Sequence, residues 1–391
     1  MVGVVGAGTM GAGIAQLALA AGHEVILHDI DDAAIARARQ RIDDGLARLA
    51  AKGRVTSGEA AEGLSRLRIA KSLDGIGGEA DIVVEAALEE IGLKRRIFRA
   101  LDAAAPPGTV LATNTSALSV GAIAEGAALY PERVVGLHFF NPAPVMALVE
   151  VVSAEGSEPS AVDRAERFAA GLGKTTVRCH DAPGFIVNRV NRPFTLEALR
   201  MLEAREATIT AIDHALVRAG FPMGPFALMD LVGVDVNYAV ARALWQAFEH
   251  APRFQTSPIQ EMLIAADHLG RKSGEGFYRY SDDGRPSGPA PEFADGPGSS
   301  EGTGRAVGSG LRPDEIIERI TLAIVNEAHH ALGEGVASAP DIDRALRLGA
   351  NHPWGPFERM VELGGPGAVR KRLRALEGRF GERFRPAPLL A

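Results

Sequence analysis

His138 and Glu150 stand twelve residues apart in the stretch GLHFFNPAPVMALVEVV, Gly136 to Val152, with Asn141, Pro142 and Pro144 between them. Histidine is the side chain whose unperturbed pKa lies near neutrality, and a carboxylate on one ring nitrogen fixes the tautomer and stabilises the imidazolium. The pair therefore suits a general base. Two prolines forbid an unbroken helix or a central strand between them. The stretch is thus expected to run strand, loop, strand and to return Glu150 beside His138.

A second chemistry-bearing stretch opens the chain. MVGVVGAGTMGAGIAQLALAAGHEVILHDI reads as an apolar strand, the turn Gly6-Ala7-Gly8-Thr9-Met10-Gly11, an alanine-rich helix, a second strand over Glu24 to His28, and then Asp29. In this G-x-G-x-x-G the first glycine allows the tight turn, the second lets backbone approach a pyrophosphate, and the third permits close helix packing, with phosphates at the helix N-terminus. Asp29 is spaced to accept hydrogen bonds from ribose hydroxyls, and its charge repels a 2′-phosphate, which favours NAD over NADP.

The elements that must position these groups follow from the rest of the pattern. Strands and helices alternate up to about Asp181, as in a doubly wound sheet. Asp31 to about Leu67 is a mostly helical insertion made basic by Arg37, Arg39, Arg41, Arg48, Lys52 and Arg54. It reads as a solvated amphipathic helix pair or as a clamp for an anionic ligand. Asp81 to Ala86 reads as a strand turning into a helix that carries Glu89 and Lys94. Thr109 to Leu118 reads as a strand ending in Asn114, Thr115 and Ser116, at the carboxyl edge where ligands bind in such sheets. Ser116 is thereby a candidate hydroxyl donor to a substrate.

From Pro183 the pattern is helical, with Asn188 one turn in and Pro193 expected to kink the helix. The segment Glu197 to Gly233 then recurs as Glu327 to Gly364, aligning Ile212-Asp213 with Ile342-Asp343 and Gly224-Pro225-Phe226 with Gly355-Pro356-Phe357. Between the copies, Ser281 to Gly310 is crowded with Gly, Pro, Ser and Asp and reads as a flexible linker. The expected fold is a Rossmann-type α/β doubly wound domain over residues 1–182, followed by an all-α part. That part comprises a helical domain at 183–280, the linker at 281–310 and a second, partial copy of the helical module at 311–391. The second copy has no nucleotide-binding half, and Glu318 falls opposite Asn188, so one active site per chain is expected.

Composition excludes several classes. With 46% apolar and 23% charged residues the chain is ordinary globular protein, and its net charge of −7 argues against nucleic acid as a partner. No run approaches a membrane span, and the apolar start lacks the basic residues of a signal peptide. One cysteine, Cys179, excludes an internal disulfide and fits a reducing, cytoplasmic location. Cys179, His180 and Asp181 are consecutive and cannot fold into a triad, and His329 and His330 face different directions on a helix, so no metal site is expected. Only six of the 42 basic residues are lysine: Lys52, Lys71, Lys94, Lys174, Lys272 and Lys371. In a chain so biased toward arginine, each lysine that persists invites a specific reason.

GAGTMGAGIAQ, the Asn114-Thr115-Ser116 turn, HFFNPAPVMALVE, PGFIVNR, FPMGPF and GRKSGEGFY, taken in this order, resemble the (3S)-3-hydroxyacyl-CoA dehydrogenases. RCHDAPGFIVNRVNRPF and the closing GERFRPAPLL resemble the bacterial 3-hydroxybutyryl-CoA and 3-hydroxyadipyl-CoA dehydrogenases, the latter serving phenylacetate breakdown. The resemblance implies NAD as cofactor and an acyl-CoA thioester as substrate, with His138 as base, Glu150 orienting it, Ser116 on the reacting oxygen and Asn188 supporting substrate and histidine. It carries NAD contacts onto Gly6 to Gly11, Asp29, Glu89, Lys94, Asn114, Ser116, Asn141 and Lys272, and coenzyme A onto Lys52. Arg189, Asn191 and Arg192 are the candidates should a distal carboxylate be bound. A family serine at the coenzyme A site is Gly45 here, a departure that puts that contact in question. Single-copy relatives dimerise through the helical domain, which leaves a homodimer and an intrachain pseudo-dimer both open. Two rival readings stand beside this one. The first is a dehydrogenase of free hydroxy or sugar acids, like gulonate dehydrogenase; the second is a non-catalytic NAD-binding protein.

Overall fold

The computed structural model describes residues 1–127, 129–294 and 310–390. The chain divides into two compact units, Met1–Phe185 and Ile186–Ala391.

The first unit is built on an eight-stranded sheet. Its strands are β1 Val2–Val5, β2 Val25–His28, β3 Leu67–Ile69, β4 Ile82–Glu85, β5 Val110–Thr113, β6 Val134–Phe139, β7 Leu148–Ser153 and β8 Thr175–His180, in the order β3-β2-β1-β4-β5-β6-β7-β8. All neighbours are parallel except β6 with β7 and, through it, the direction of β8. The first strands are unbroken apolar runs because parallel strands are covered on both faces, and β1, β2 and β5 are buried at every position. The covering helices are α1 Thr9–Ala20, α2 Asp32–Ala51, α3 Ser57–Ser65, α4 Leu73–Gly77, α5 Ile91–Ala104, α6 Val120–Ala124 and α7 Pro159–Gly171. Asp31 caps α2 by accepting from the Ala33 N–H, and Thr56 with Glu59 forms a capping box on α3, so the basic insertion is two helices rather than loop.

The second unit contains the repeat. Its first copy runs α8 Val187–Val190, α9 Arg192–Glu203, α10 Ile209–Arg218, α11 Pro225–Val232, α12 Val234–Ala247 and α13 Pro258–Ala265. After a hairpin of β9 Tyr278–Tyr280 with β10 Pro286–Pro289, and α14 Pro291–Ala294, the second copy runs α15 Pro313–Gly333, α16 Ala339–Gly349, α17 Pro356–Glu362 and α18 Gly365–Phe380. Pro193 does mark a break, with Asn191 alone separating α8 from α9. The stretch from Ser281 is not linker throughout. Backbone pairing of β10 with β9 and the turn of α14 organise it as far as residue 294, because Gly, Pro, Ser and Asp serve a hairpin as well as a linker. Residues 295–309 of the expected linker lie outside the described residues.

The repeated Ile-Asp and Gly-Pro-Phe signatures have one physical cause. Asp213 accepts from the N–H groups of Phe226 and Ala227, at 3.0 Å each, and Asp343 accepts from Phe357 and Glu358 at 2.7 and 3.2 Å. Each aspartate thus satisfies the opening N–H groups of α11 or α17. A Cβ at Gly224 or Gly355 would sit 2.3 Å from that aspartate, so neither glycine admits a side chain. The copies then pack crosswise, α15 against α9 and α10, and α16 against α8.

Candidate active site

The antiparallel register of β6 with β7 sets His138 directly opposite Glu150, on one face of the sheet. His138 Nδ1 lies 2.6 Å from Glu150 Oε2, and Nε2 lies 3.0 Å from Ser116 Oγ. Both dyad residues are buried, and the imidazole is flanked by the rings of Phe140 at 4.5 Å and Phe185 at 5.7 Å. With Nδ1–H donating to a carboxylate, Nε2 is left as the proton acceptor, and the apolar walls keep that geometry fixed. Ser116 sits just past the end of β5. Asn114 ties that end to β6 by accepting from the Phe139 N–H at 2.9 Å. Asn141 is exposed in the loop joining β6 to β7.

Glu89 and Lys94, expected at the cofactor, serve first as the frame under Ser116. Glu89 Oε1 accepts from the Thr115 hydroxyl at 2.6 Å and from the N–H groups of Ser116 and Ala117 at 2.9 and 3.1 Å. Burial alone would raise this carboxyl, but Thr115, Lys94 and the two N–H groups outweigh it and hold Glu89 below the usual carboxylate range. Lys94 is enclosed rather than displayed, its ammonium 2.7 Å from Glu85 and 3.3 Å from Glu89. Glu85 also accepts from Thr113 at 2.7 Å. The sequence gives Thr115 a place at the strand end but no role, and does not single out Glu85; an acid closing an apolar strand, nine residues before a retained lysine, is the available signal.

At the other edge of the switch point, where the chain leaves β1 in one direction and β4 in the other, the carboxyl ends of β1, β2 and β4 open on a cavity of about 570 Å³. Gly6, Gly8, Asp29, Ala86 and the exposed apolar side chains of Ile30 and Leu88 line it. Gly6 takes φ +100°, and a Cβ on Gly11 would lie 1.8 Å from the Gly6 carbonyl oxygen, so both must be glycine. A Cβ on Gly8 would meet open space, and α1 begins there without a side-chain cap, so its first N–H groups remain available to a pyrophosphate. Asp29 accepts from the N–H groups of Ala7 and Asp31 at 2.7 and 3.0 Å, which holds its carboxylate at the mouth of the cavity. Ala7, Thr9 and Met10 occupy the same turn and the first residues of α1. These residues fit a dinucleotide.

Lys52 is exposed at the carboxyl end of α2. Gly45, on the same helix, is buried against α1, where a Cβ would stand 2.0 Å from Gln16 Oε1. Gln16 thus occupies the space that a side chain at position 45 would need. In the second unit, Asn188 lies on α8, and Lys272 is paired with Asp235 at 2.6 Å. The sequence indicates no metal ligands; among the described residues the structure gathers one group of potential ligand atoms within 4.8 Å, from His268, Glu275 and Glu292. Among the described residues no helix is long and apolar enough to cross a membrane.

A doubly wound sheet with a glycine-rich turn, an acid after β2 and a buried His-Glu pair reached by a half-buried serine fits an NAD-dependent dehydrogenase. The 3-hydroxyacyl-CoA dehydrogenase NAD binding domain matches residues 1–182, and the C-terminal domain of the same family matches residues 184–280 and 316–391. The chain belongs to the 3-hydroxyacyl-CoA dehydrogenase family, and its cofactor is NAD. It is 38% identical to the 3-hydroxyadipyl-CoA dehydrogenase of Escherichia coli K12, over 100% of this chain and 96% of that one. It is 41% identical to the 3-hydroxybutyryl-CoA dehydrogenase of Mycobacterium tuberculosis, over 71% of this chain and 98% of that one. The crystal structure of 3-hydroxybutyryl-CoA dehydrogenase from Escherichia coli K12 superposes with a TM-score of 0.88 at 36% identity, covering 100% of this chain and 97% of that one.

Proposed function

We propose that this chain oxidises the 3-hydroxyl of a (3S)-3-hydroxyacyl-CoA to the 3-oxo thioester, with His138 as the general base. The observation that carries the reading is the chain of contacts from Ser116 Oγ to His138 Nε2 at 3.0 Å and from Nδ1 to Glu150 at 2.6 Å. NAD, when bound, accepts the hydride from C3. The hydroxyl proton goes to His138 Nε2, Glu150 stabilises the imidazolium that results, and the Ser116 hydroxyl holds the reacting oxygen between them. Asn188 supports the substrate, and Lys52 takes the coenzyme A end. Glu89, Lys94, Asn114, Asn141 and Lys272 serve the cofactor, the first two by fixing the loop that bears Ser116. The cytoplasm is the site of action, in keeping with a single buried cysteine. The helical repeat stands in for a dimer partner, and the pathway is the oxidation of acyl-CoA thioesters such as those of phenylacetate breakdown.

The test is NADH oxidation by the purified protein with acetoacetyl-CoA, beside free acetoacetate and beside NADPH. Oxidation confined to the thioester with NADH is expected; oxidation of the free acid would transfer the chain to the dehydrogenases of free hydroxy acids. In the same assay His138→Gln should lower kcat by about 10²–10⁴-fold with NADH binding retained. Loss of NADH binding in that variant would make His138 a structural residue.

A further inference from the structure

We infer that Arg192 receives a carboxylate at the far end of the acyl chain, which makes dicarboxylic 3-hydroxyacyl-CoA thioesters the preferred substrates. The inference rests on the reading above, in which Asn188 stands at the substrate. Three polar side chains follow Asn188 within one helical turn, and two of them are already engaged. Arg189 is fully buried, with Nε 2.7 Å from Glu327 and a terminal nitrogen 2.7 Å from Glu334, and its guanidinium stacks on the Phe248 ring at 4.6 Å. Asn191 Oδ1 accepts from His352 Nε2 at 2.7 Å.

Arg192 is different. Only 7% of it is exposed, no carboxylate pairs with its guanidinium among the described residues, and its Nε is sequestered without a hydrogen-bond partner. The other three arginines buried among the described residues each have a carboxylate: Asp102 for Arg133, Glu327 for Arg189 and Glu197 for Arg319. Burial lowers the Arg192 guanidinium to about 10, which leaves it charged at neutral pH. A buried cation without a counter-ion is strongly unfavourable, and an anionic ligand removes that penalty while matching the planar donor fork.

Two further observations give the ligand its place. The backbone at Asn191 is helical, φ −79° and ψ −10°, so Asn188 and Arg192 share a face one turn apart, about 6 Å along the axis. In a six-carbon diacid chain three carbon–carbon bonds separate the carbinol carbon from the terminal carboxylate, a comparable span. The repeat supplies an internal control: the residue aligned with Arg192 in the second copy is Leu322, fully buried in an apolar cluster with Val325, Val369 and Leu373. Where the module holds no substrate, hydrocarbon fills the position.

The experiment compares kcat/KM for 3-hydroxyadipyl-CoA and 3-hydroxyhexanoyl-CoA, which differ only in the terminal carboxylate. The wild-type chain should prefer the diacid by about 100-fold, and Arg192→Met should collapse that ratio by the same factor, with Arg192→Lys intermediate. Absence of a preference in the wild type overturns the inference whether or not any variant folds. A ratio unchanged in Arg192→Met overturns it too, by assigning the charge to the fold. Turnover of both thioesters at equal rates leaves the dehydrogenase reading standing, whereas turnover of neither removes that reading itself.

Discussion

In the first helical copy Arg189, Glu197 and Arg253 occupy the positions that Arg319, Glu327 and Arg383 occupy in the second, and the copies exchange partners. Glu327 receives Arg189 and Arg253 at 2.7 and 2.9 Å, while Glu197 receives Arg319 and Arg383 at 2.8 and 3.0 Å. Even the ring contacts repeat, with Phe248 under Arg189 and Arg253 and Phe380 under Arg319 and Arg383. The copies part at other aligned positions: Asn188 against Glu318, Asn191 against Thr321 and Arg192 against Leu322 near the start of each copy, and Phe221 against His352 in the turns before α11 and α17. The retained residues are those whose loss would leave a buried charge unpaired in the opposite copy. Three of the four divergent positions fall on the turn that carries Asn188, so the second copy reads as a scaffold that braces the first.

The largest effect that could break this comparison comes from the two glutamates. Glu327→Gln and Glu197→Gln each leave buried guanidinium groups short of a counter-ion, and each should lower the stability of the helical unit by about 3–5 kcal/mol. Both tryptophans, Trp245 and Trp354, lie in this unit, so urea unfolding followed by their fluorescence reads it alone. Under conditions where both variants are folded, only Glu327→Gln should also lose turnover, because Arg189 adjoins Asn188. Equal activity losses would show that the two networks are interchangeable and that the second copy is no mere brace. Acid sharpens the same point. Burial would raise Glu197, but Arg200, Arg319 and Arg383 outweigh it and hold it below the usual range. The stability it contributes is therefore present above the unfolded carboxylate pKa and is lost as pH falls through the lower folded value.

A smaller effect separates the copies by activity alone. Asn188→Ala should lower kcat by about 10²-fold, within the range for positioning groups. Glu318→Ala, on a half-exposed side chain whose cation Arg372 lies 3.6 Å away, should leave turnover unchanged and stability within about 0.5 kcal/mol. A comparable loss in Glu318→Ala would mean that the second copy also touches substrate.

How much of this was legible in the sequence differs by residue. The return of Glu150 to His138 could be read because two prolines break the stretch and the flanking residues are apolar. The glycine turn and Asp29 could be read because each glycine answers a local backbone demand. The crossed ion pairs could not, since Arg189 and Glu327 are 138 residues apart and no local pattern says which acid meets which base. The resemblance makes Lys94 a cofactor contact and its rarity only invites a specific reason, whereas the structure gives its ammonium first to Glu85, a residue that looks like the end of an ordinary strand. Part of the expected linker became a hairpin because composition alone cannot tell a turn that pairs from one that does not.

The smallest effect, and the most selective, concerns the turns where the copies meet. Phe221 and His352 occupy aligned positions and pack edge to face at 4.9 Å. Burial lowers His352 to about 3, so the ring is neutral when folded and Nε2 donates to Asn191. An unfolded histidine titrates near 6.5, so as pH falls the unfolded chain takes the proton first. Stability relative to a non-titrating ring is full above about 6.5 and declines by about 1.4 kcal/mol per pH unit below it, toward the folded value. His352→Phe makes the second turn resemble the first and should remove that slope, a difference of about 2 kcal/mol at pH 5 beyond the pH-independent change from losing the Asn191 contact. Burial lowers His329 and His330 in the same unit as well, so the wild type and the variant share a residual slope that the subtraction removes. Urea midpoints at pH 7.5 and 5 that shift in parallel for the two proteins would show that His352 is already reached by protons in the folded chain.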